Sequence, residues 1–402
     1  MTPTPAAAPQ PIRKPNMLLL SYSRHVKSVF SALALAASAL SAHAVDAGVT
    51  DTEIRLGASA VLSGPLGPQT VEYGVGSRLY FDAINQSGGI HGRKISYTTL
   101  DDAFDVKQAV ENTRKLLQEQ QVFMIYNNTG TGHTAAILPL AAETKTVVFS
   151  PVTGAAPLRD NFNRYLFHVR ASYADEARYI QNQLQQMGIQ RVALFYQDDA
   201  FGKALQAEVT KAAAASGVAL VAEVAVNPKE PDFKAAAQAL AQAQPQAVIM
   251  GTGGTTFTEA VKAVRQTSIR PSFYGFSVAG FGVIKKELGD GARGIVLAQV
   301  FPAFNQTSTA VVADYHRLLK LKDPQAKPSA PQFEGFAQAR MLVEGLKRAG
   351  RNLTADSFIA AMEGMGDAAL SSKFVARYSP KNHNGANYVE LAIVDQQGNL
   401  RY

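Results

Sequence analysis

Beyond residue 45 the chain alternates between short apolar runs rich in β-branched residues and longer stretches whose apolar positions recur every three or four residues. Short runs of that kind suit strands covered on both faces, and the longer stretches suit amphipathic helices. The alternation therefore predicts βαβ units built on parallel sheets. The first expected strand is Ile54–Val61, closed by the turn Ser63-Gly64-Pro65. A helix follows over Thr70–Gln86 and stops at Ser87-Gly88-Gly89, where glycine suits a helix end. Lys94–Leu100, Val122–Tyr126 and Thr146–Phe149 continue as strands, with helices over Val106–Glu119 and Thr134–Thr144 between them. These steps make one open α/β lobe.

A second series opens near His168. Helices are expected over Ser172–Gln186, Phe201–Ala214, Asp232–Ala243 and Thr256–Gln266, alternating with strands Arg191–Tyr196, Val218–Val226, Ala247–Met250 and Phe273–Gly275. The strand Ile295–Val300, helices near Thr307–Leu321 and Gln332–Ala349, and a last strand Val389–Val394 are too few for a third domain, so they are expected to complete the first two. The predicted fold is α/β, with two Rossmann-like lobes joined by a multi-strand hinge. Residues 45–168 plus 295–378 are assigned to the first lobe and 169–294 plus 379–402 to the second. Lobes that share discontinuous sequence imply a hinge and a cleft between them.

The first 44 residues follow another pattern. Arg24, His25 and Lys27 precede the uncharged stretch Val29–Leu40, which leads into Ser41-Ala42-His43-Ala44. A basic flank, a short apolar core and an A-x-A ending form the layout of a secretory signal peptide, so cleavage is expected after Ala44 and the destination is the periplasm. An apolar core of about 12 residues is short of the roughly 20 that a membrane-spanning helix needs. The proline-rich stretch before Met17 is unusual for such a signal and leaves Met1 and Met17 both open as the start.

Composition acts mainly by exclusion. With 47% hydrophobic and 18% charged residues the chain is an ordinary globular one, and the absence of Cys removes disulfides, thiolate metal sites and Cys nucleophiles. The net charge of +7 hints at nucleic acid, but Arg13, Lys14, Arg24 and Lys27 supply four of those charges within the expected leader. The remaining Lys and Arg are scattered among Asp and Glu, so no nucleic-acid partner is expected.

Catalytic chemistry finds no support. The His residues at 25, 43, 91, 133, 168, 316 and 383 form no H-E-x-x-H or close carboxylate pairing, so no metal is expected. Gly275-Phe276-Ser277-Val278-Ala279 lacks the second glycine of a nucleophile elbow. Gly251-Thr252-Gly253-Gly254-Thr255-Thr256 follows a strand and opens a helix, but it has no Walker lysine and reads as a flexible turn. Asp101-Asp102 and Asp198-Asp199 sit at strand ends, where acids commonly cap the next helix. No enzyme, catalytic residue or cofactor is predicted.

The strand ends of the first lobe are instead rich in small hydroxylated residues: Ser63-Gly64-Pro65, Thr129-Gly130-Thr131-Gly132-His133-Thr134 and Ser150-Pro151-Val152-Thr153-Gly154. In open α/β sheets ligands bind beyond the carboxyl ends of strands, where helix N-termini offer free amides, so these residues suit a carboxylate or another polar head group.

At this point the chain resembles the leucine/isoleucine/valine-binding protein family, the type I periplasmic solute-binding proteins of ABC transporters. The resemblance rests on the order and spacing of several segments. They are Ile54-Arg55-Leu56-Gly57 before Ser63-Gly64-Pro65, Phe81-Asp82-Ala83-Ile84-Asn85 with Gly88-Gly89-Ile90-His91-Gly92-Arg93, Asp101-Asp102 with Gln108-Ala109-Val110, Ser150-Pro151 with Thr153, Tyr165-Leu166-Phe167-His168-Val169-Arg170, and Asp198-Asp199-Ala200-Phe201-Gly202. The resemblance implies a Venus-flytrap that closes on a small solute and hands it to permease subunits, as a monomer whose cleft opens freely. A ligand-sensing receptor that partners a signalling protein is the alternative use of the same fold. In relatives that bind α-amino acids the first lobe holds the carboxylate, at positions that map to Thr131, His133, Thr134, Val152, Thr153 and Gly154. Gln69 falls where relatives place a side chain over the ligand, and Tyr173 is expected to face the cleft.

The second lobe departs from the pattern. Phe201 stands where relatives often have Tyr, and Ser277, beside Phe276, stands where amino-acid binders place the acid that pairs with the ligand ammonium. A buried ammonium without a counter-charge is costly. Either Asp199 or Glu176 substitutes for that acid, or the ligand is an aromatic or aliphatic carboxylate without an amino group, walled by Phe201, Phe276 and Tyr173.

Overall fold

A computed structural model describes residues 1–4, 8–10, 46–307 and 309–402. Apart from the two short N-terminal pieces, the leader expected over residues 1–44 and its cleavage point lie outside the described residues. Among those residues no helix is long and apolar enough to cross a membrane.

The first sheet has five parallel strands in the order β2-β1-β3-β4-β5: β1 (Glu53–Ala60), β2 (Lys94–Asp101), β3 (Met124–Tyr126), β4 (Val147–Phe149) and β5 (Leu166–Phe167). Its crossovers are α1 (Gly67–Gln86), α2 (Val106–Gln118) and α3 (Thr131–Glu143). Every residue of β3 and β4 is buried, which is why these strands read as unbroken apolar runs rather than alternating ones. The structure starts α3 at Thr131, three residues before the predicted Thr134, so Thr131 and His133 belong to its first turn rather than to a loop.

The second lobe follows with α4 (Tyr173–Gln186), β6 (Arg191–Gln197), α5 (Ala200–Ser216), β7 (Ala219–Val226), α6 (Phe233–Ala243), β8 (Ala247–Gly251), α7 (Gly254–Arg265), β9 (Ser272–Gly275), α8 (Phe281–Leu288) and β10 (Val296–Gln299). Side chains at the expected boundaries cap these helices: Ser172 and Asp175 form a reciprocal box on α4, Asp199 accepts from the Gly202 amide, and Asp232 from the Ala235 amide. The chain then returns to the first lobe with α9 (Ala310–Lys322), α10 (Ala330–Ala349) and α11 (Ala355–Glu363). A small antiparallel sheet follows, made of β11 (Ala368–Ala369), β12 (Val375–Ser379) and β13 (Asn382–Gly385). The chain ends in β14 (Glu390–Val394) and β15 (Leu400–Arg401), antiparallel strands that extend the second sheet to the order β15-β14-β10-β9-β8-β6-β7.

Two expected lobe boundaries are corrected. β10 was assigned with residues 295–378 to the first lobe, yet it pairs with β9 and β14 in the second sheet. β13 was assigned with 379–402 to the second lobe, yet it pairs with β12, and the His383 carbonyl accepts from the His168 amide beside β5. Both boundaries fall where the chain passes between lobes, and local pattern does not say to which sheet a strand adds. The passages lie around residues 168–172, 300–309 and 386–389, so three strands of chain form the hinge.

α1 and α10 cross with their backbones in contact. A Cβ on Gly76 would meet the Gln332 carbonyl, and one on Gly335 would meet the Tyr73 carbonyl. Ser77 seals the crossing by sharing its one hydroxyl proton between the carbonyls of Tyr73 (2.9 Å) and Gly335 (3.2 Å), which sets Tyr73 and Glu334 beside the hinge. Gly335→Ala is expected to force the helices apart and lower stability by about 3 kcal/mol, read as a lower urea midpoint at unchanged slope.

Candidate functional site

The carboxyl ends of β3, β4 and β5 face the second lobe. Asn127 and Ser150, the residues just past β3 and β4, adopt left-handed backbone conformations with φ of 60° and 55°. Non-glycine residues are held there only where surrounding structure over-determines them. The Asn127 Oδ1, Thr129 Oγ1 and Ser150 Oγ atoms are buried at these tips with no partner among the described residues. Unpaired buried acceptors and hydroxyls are costly, so this rim is built to meet a polar group.

The predicted residues divide around that rim. Thr131 and Thr153 bring their hydroxyls together at 2.8 Å, joining the start of α3 to the loop after β4. Thr134 is engaged within the fold, donating to the Gly130 carbonyl (2.7 Å) and accepting from Asn128 (2.9 Å). Val152 is buried, with its amide on the Asn128 carbonyl, and the Gly154 carbonyl accepts from the Tyr173 amide at 2.8 Å. Tyr173 stands edge-on between Phe201 and Phe276, with ring centroids at 5.9 and 5.8 Å, and its hydroxyl lies beside Thr153. Thr131, Thr153, Tyr173, Phe201 and Phe276 thus form one wall across both lobes. Gln69 reaches over the cleft and donates to the Val278 carbonyl at 2.7 Å.

Ser277 occupies the end of this row, at the position where amino-acid binders carry an acid. Its amide and hydroxyl donate to the two oxygens of Glu176, at 2.7 and 3.0 Å, and its oxygen accepts from Arg170. Arg170 is fully buried, 3.5 Å from Glu334 and 4.0 Å from Glu176, with the Tyr73 hydroxyl close by. Burial opposes its charge, but Glu334, Tyr73 and Glu176 outweigh burial and hold it as a cation. Burial also raises both carboxyls against the pull of Arg170, Glu334 upwards and Glu176 to about 7. The Nε and Nη1 atoms of Arg170 have no hydrogen-bond partner among the described residues. Arg170 lies within the segment Tyr165–Arg170 that carries the family resemblance, and no motif marks Tyr73 or Glu334. The available signal was a lone charge inside the apolar stretches Phe167–Ala171 and Phe333–Phe336.

The lobes are closed on each other. Gly254 has φ of 60°, and a Cβ there would meet the Pro65 carbonyl of the first lobe, while one on Gly253 would lie 3.1 Å from Leu66. The glycine-rich turn is therefore the place where the two backbones meet. Outside the aromatic wall a cavity of about 270 Å³ is lined by Leu66, Phe104, Thr131, His133, Asp199 and Phe201. A larger groove of about 870 Å³ lies between the lobes on another flank, along Gln69, Phe281, Phe304, Pro331 and Leu400, and carries exposed lysines. No group of His and acidic residues suited to a metal occurs among the described residues.

Residues 53–399 match the family described as periplasmic binding protein. The chain is 24% identical over 307 residues to Leu/Ile/Val-binding protein homolog 3 of Brucella melitensis, covering 74% of this chain and 80% of that protein. Among solved structures it is similar to a substrate-binding periplasmic protein from Ralstonia solanacearum, with a TM-score of 0.80 and 26% identity, over 87% of this chain and 99% of that one. It is also similar to one described as a possible leucine/isoleucine/valine-binding protein from Rhodopirellula baltica, with a TM-score of 0.81 and 25% identity, over 89% and 98% of the two chains.

Two outcomes follow from this geometry. Gly254→Ala strains the backbone in either form through its positive φ and adds the Pro65 clash in the closed form, so the melting temperature without solute is expected to fall slightly, by about 1 kcal/mol in stability, and solute affinity by about tenfold to a hundredfold. Glu176 has a folded pKa of about 7 against an ordinary 4.5, so its contribution is fully present below pH 4.5 and is lost as pH rises to 7. Glu176→Gln is expected to flatten that part of the melting-temperature profile, and an unchanged slope would contradict the assignment.

Proposed function

The chain belongs to the periplasmic binding protein family, a non-enzymatic family of solute-binding proteins in ABC transport, and from that premise we propose that it captures a small carboxylate lacking an α-amino group and delivers it to a membrane permease. The observation that carries this reading is the state of residue 277. Leucine, isoleucine and valine, the solutes in the relatives' names, each carry an ammonium that needs a facing anion. Here a serine stands at that position, and the nearest acid, Glu176, has both oxygens engaged by Ser277 and lies beside Arg170. The other candidate, Asp199, accepts from the Gly202 amide and from Gln197, so it is occupied as a helix cap.

The same cluster favours an anion. The Nε atom of Arg170 has no hydrogen-bond partner among the described residues, its Nη1 faces Glu334 at 3.5 Å, and burial raises the pKa of both carboxyls beside it. A ligand carboxylate entering from the Thr131–Thr153 side meets these donors and the two hydroxyls, while Phe201, Tyr173 and Phe276 cover its apolar body. Family membership together with the leader-like N-terminus supports delivery to a permease and residence in the periplasm, and favours transport over a signalling receptor.

The test is a melting-temperature screen of purified protein stripped of bound solute, with branched and aromatic amino acids beside their amino-free counterparts. A solute at a hundred times its dissociation constant adds about 2.7 kcal/mol, enough to read clearly. Amino-free acids are expected to raise the melting temperature and amino acids are not. Stabilisation by amino acids alone would overturn the reading. Ser277→Glu is expected to weaken acid binding at least tenfold, by placing an anion beside the carboxylate.

A further inference from the structure

The groove of about 870 Å³ is built by both lobes, and its volume falls within the range of small-molecule sites, about 300–1,000 Å³. The first lobe supplies the start of α1, at Pro68, Gln69 and Glu72, and the approach to α10, from Lys327 to Pro331. The second supplies α8, from Phe281 to Glu287, and β15 at Leu400 and Arg401. Gln69, which carries the cross-lobe bond to Val278, lines the same groove, so an occupant packs against the closure contact itself.

Two kinds of side chain face this space. Phe281, Val283, Phe304, Pro331 and Leu400 form an apolar wall. Around it stand four cations, Lys285, Lys286, Lys327 and Arg401, against two acids, Glu72 and Glu287. Arg401 is paired with Asp395 at 2.7 Å, Glu72 accepts from the Ser329 hydroxyl at 2.8 Å, and Glu287 lies 3.8 Å from Lys262. The three lysines are exposed and have neither an ion-pair nor a hydrogen-bond partner among the described residues. Lys327 belongs to the first lobe and Lys285 and Lys286 to the second. An apolar wall between unmet cations fits an organic anion whose body covers the wall while its carboxylate meets the ammonium groups.

We propose that this groove is a second ligand site, separate from the solute cleft, which takes an amphipathic carboxylate and latches the lobes in the closed form. The latch follows from the origin of the contacts. A molecule held by Lys327 on one lobe and by Lys285 and Lys286 on the other keeps all of its contacts only while the lobes stay together. A ligand shifts an equilibrium by its differential affinity for the two states, so an occupant of the groove favours closure. By linkage it tightens solute binding by the same factor by which the solute tightens its own. The argument holds whichever solute the cleft takes, because Thr131, Thr153, Tyr173, Phe201 and Phe276 do not line the groove.

The probe is decanoate, an apolar chain with one carboxylate, compared by calorimetry with butanoate, decanol and decyltrimethylammonium on protein stripped of bound solute. Decanoate is expected to bind at least about tenfold tighter than each of the others. Lys327→Gln on one lobe, and Lys285→Gln with Lys286→Gln on the other, are each expected to weaken decanoate about threefold to tenfold; these side chains are exposed, so the fold is kept. Closure is read separately. The chain has no Cys, so Lys107→Cys and Glu230→Cys place two spin labels beside Val106 and Lys229, on opposite lips of the cleft. Decanoate is expected to shift the labels to the shorter separation of the closed form, and to leave them unmoved when all three lysines are replaced. Equal binding of decanoate and decyltrimethylammonium, or decanoate affinity that survives the lysine substitutions and so belongs elsewhere, overturns the site. A loss confined to the lysines of one lobe, or a label separation that bound decanoate does not change, overturns the latch. Binding of phosphatidylglycerol vesicles through these lysines without affinity for free decanoate assigns the face to a membrane surface and overturns both. None of these outcomes touches the carboxylate reading of the cleft.

Discussion

Arg170 is fully buried where the chain first leaves β5 for the second lobe, and its charge has to be met by groups from both sides of the cleft. Ser277 and Glu176 come from the second lobe, and Glu334 and Tyr73 from the helices of the first. Taking so large a cation out of water costs several kcal/mol unless its partners are in place. The closed arrangement of the lobes and the ionic state of the hinge are therefore one problem with one solution. The tight α1–α10 crossing at Gly76 and Gly335 serves it as well, because it fixes Tyr73 and Glu334 on adjoining faces.

Around this centre the cleft has a sense of direction. The hinge end is cationic, the middle is aromatic and hydroxylated, and the outer end holds a neutral imidazole among carboxylates. Polarity therefore grades from the hinge to the rim. Closure brings the gradient together. Gln69 bonds across to Val278 and the Gly253–Gly254 turn admits Pro65 and Leu66, so the two lobes meet on both sides of the cleft.

Much of the fold is legible in the sequence because its signals are local. Apolar runs such as Met124–Tyr126 and Val147–Phe149 are complete strands in themselves, and caps such as Asp199 and Asp232 mark helix starts within three residues. The short α8 and α11 and the strands β11–β13 escape this reading because they are brief and stabilised by neighbours distant in sequence. The placement of β10 and β13 fails for the same reason. Which sheet a strand joins depends on the path of the hinge, and no property of residues 296–299 encodes it.

The candidate site divides along the same line. Chemical type and position at strand ends follow from sequence alone, since the loops after β3 and β4 hold hydroxylated residues wherever the lobes sit. The absence of an acid at 277 is likewise a fact of sequence. Only tertiary structure decides that Thr134 is consumed within its own helix turn, that Glu176 is spent on Ser277, and that Arg170 and Glu334, 164 positions apart, share one buried ion pair. A charge reveals its role through what surrounds it. Those surroundings are assembled from three passages of the chain between lobes, at separations over which local pattern carries no information.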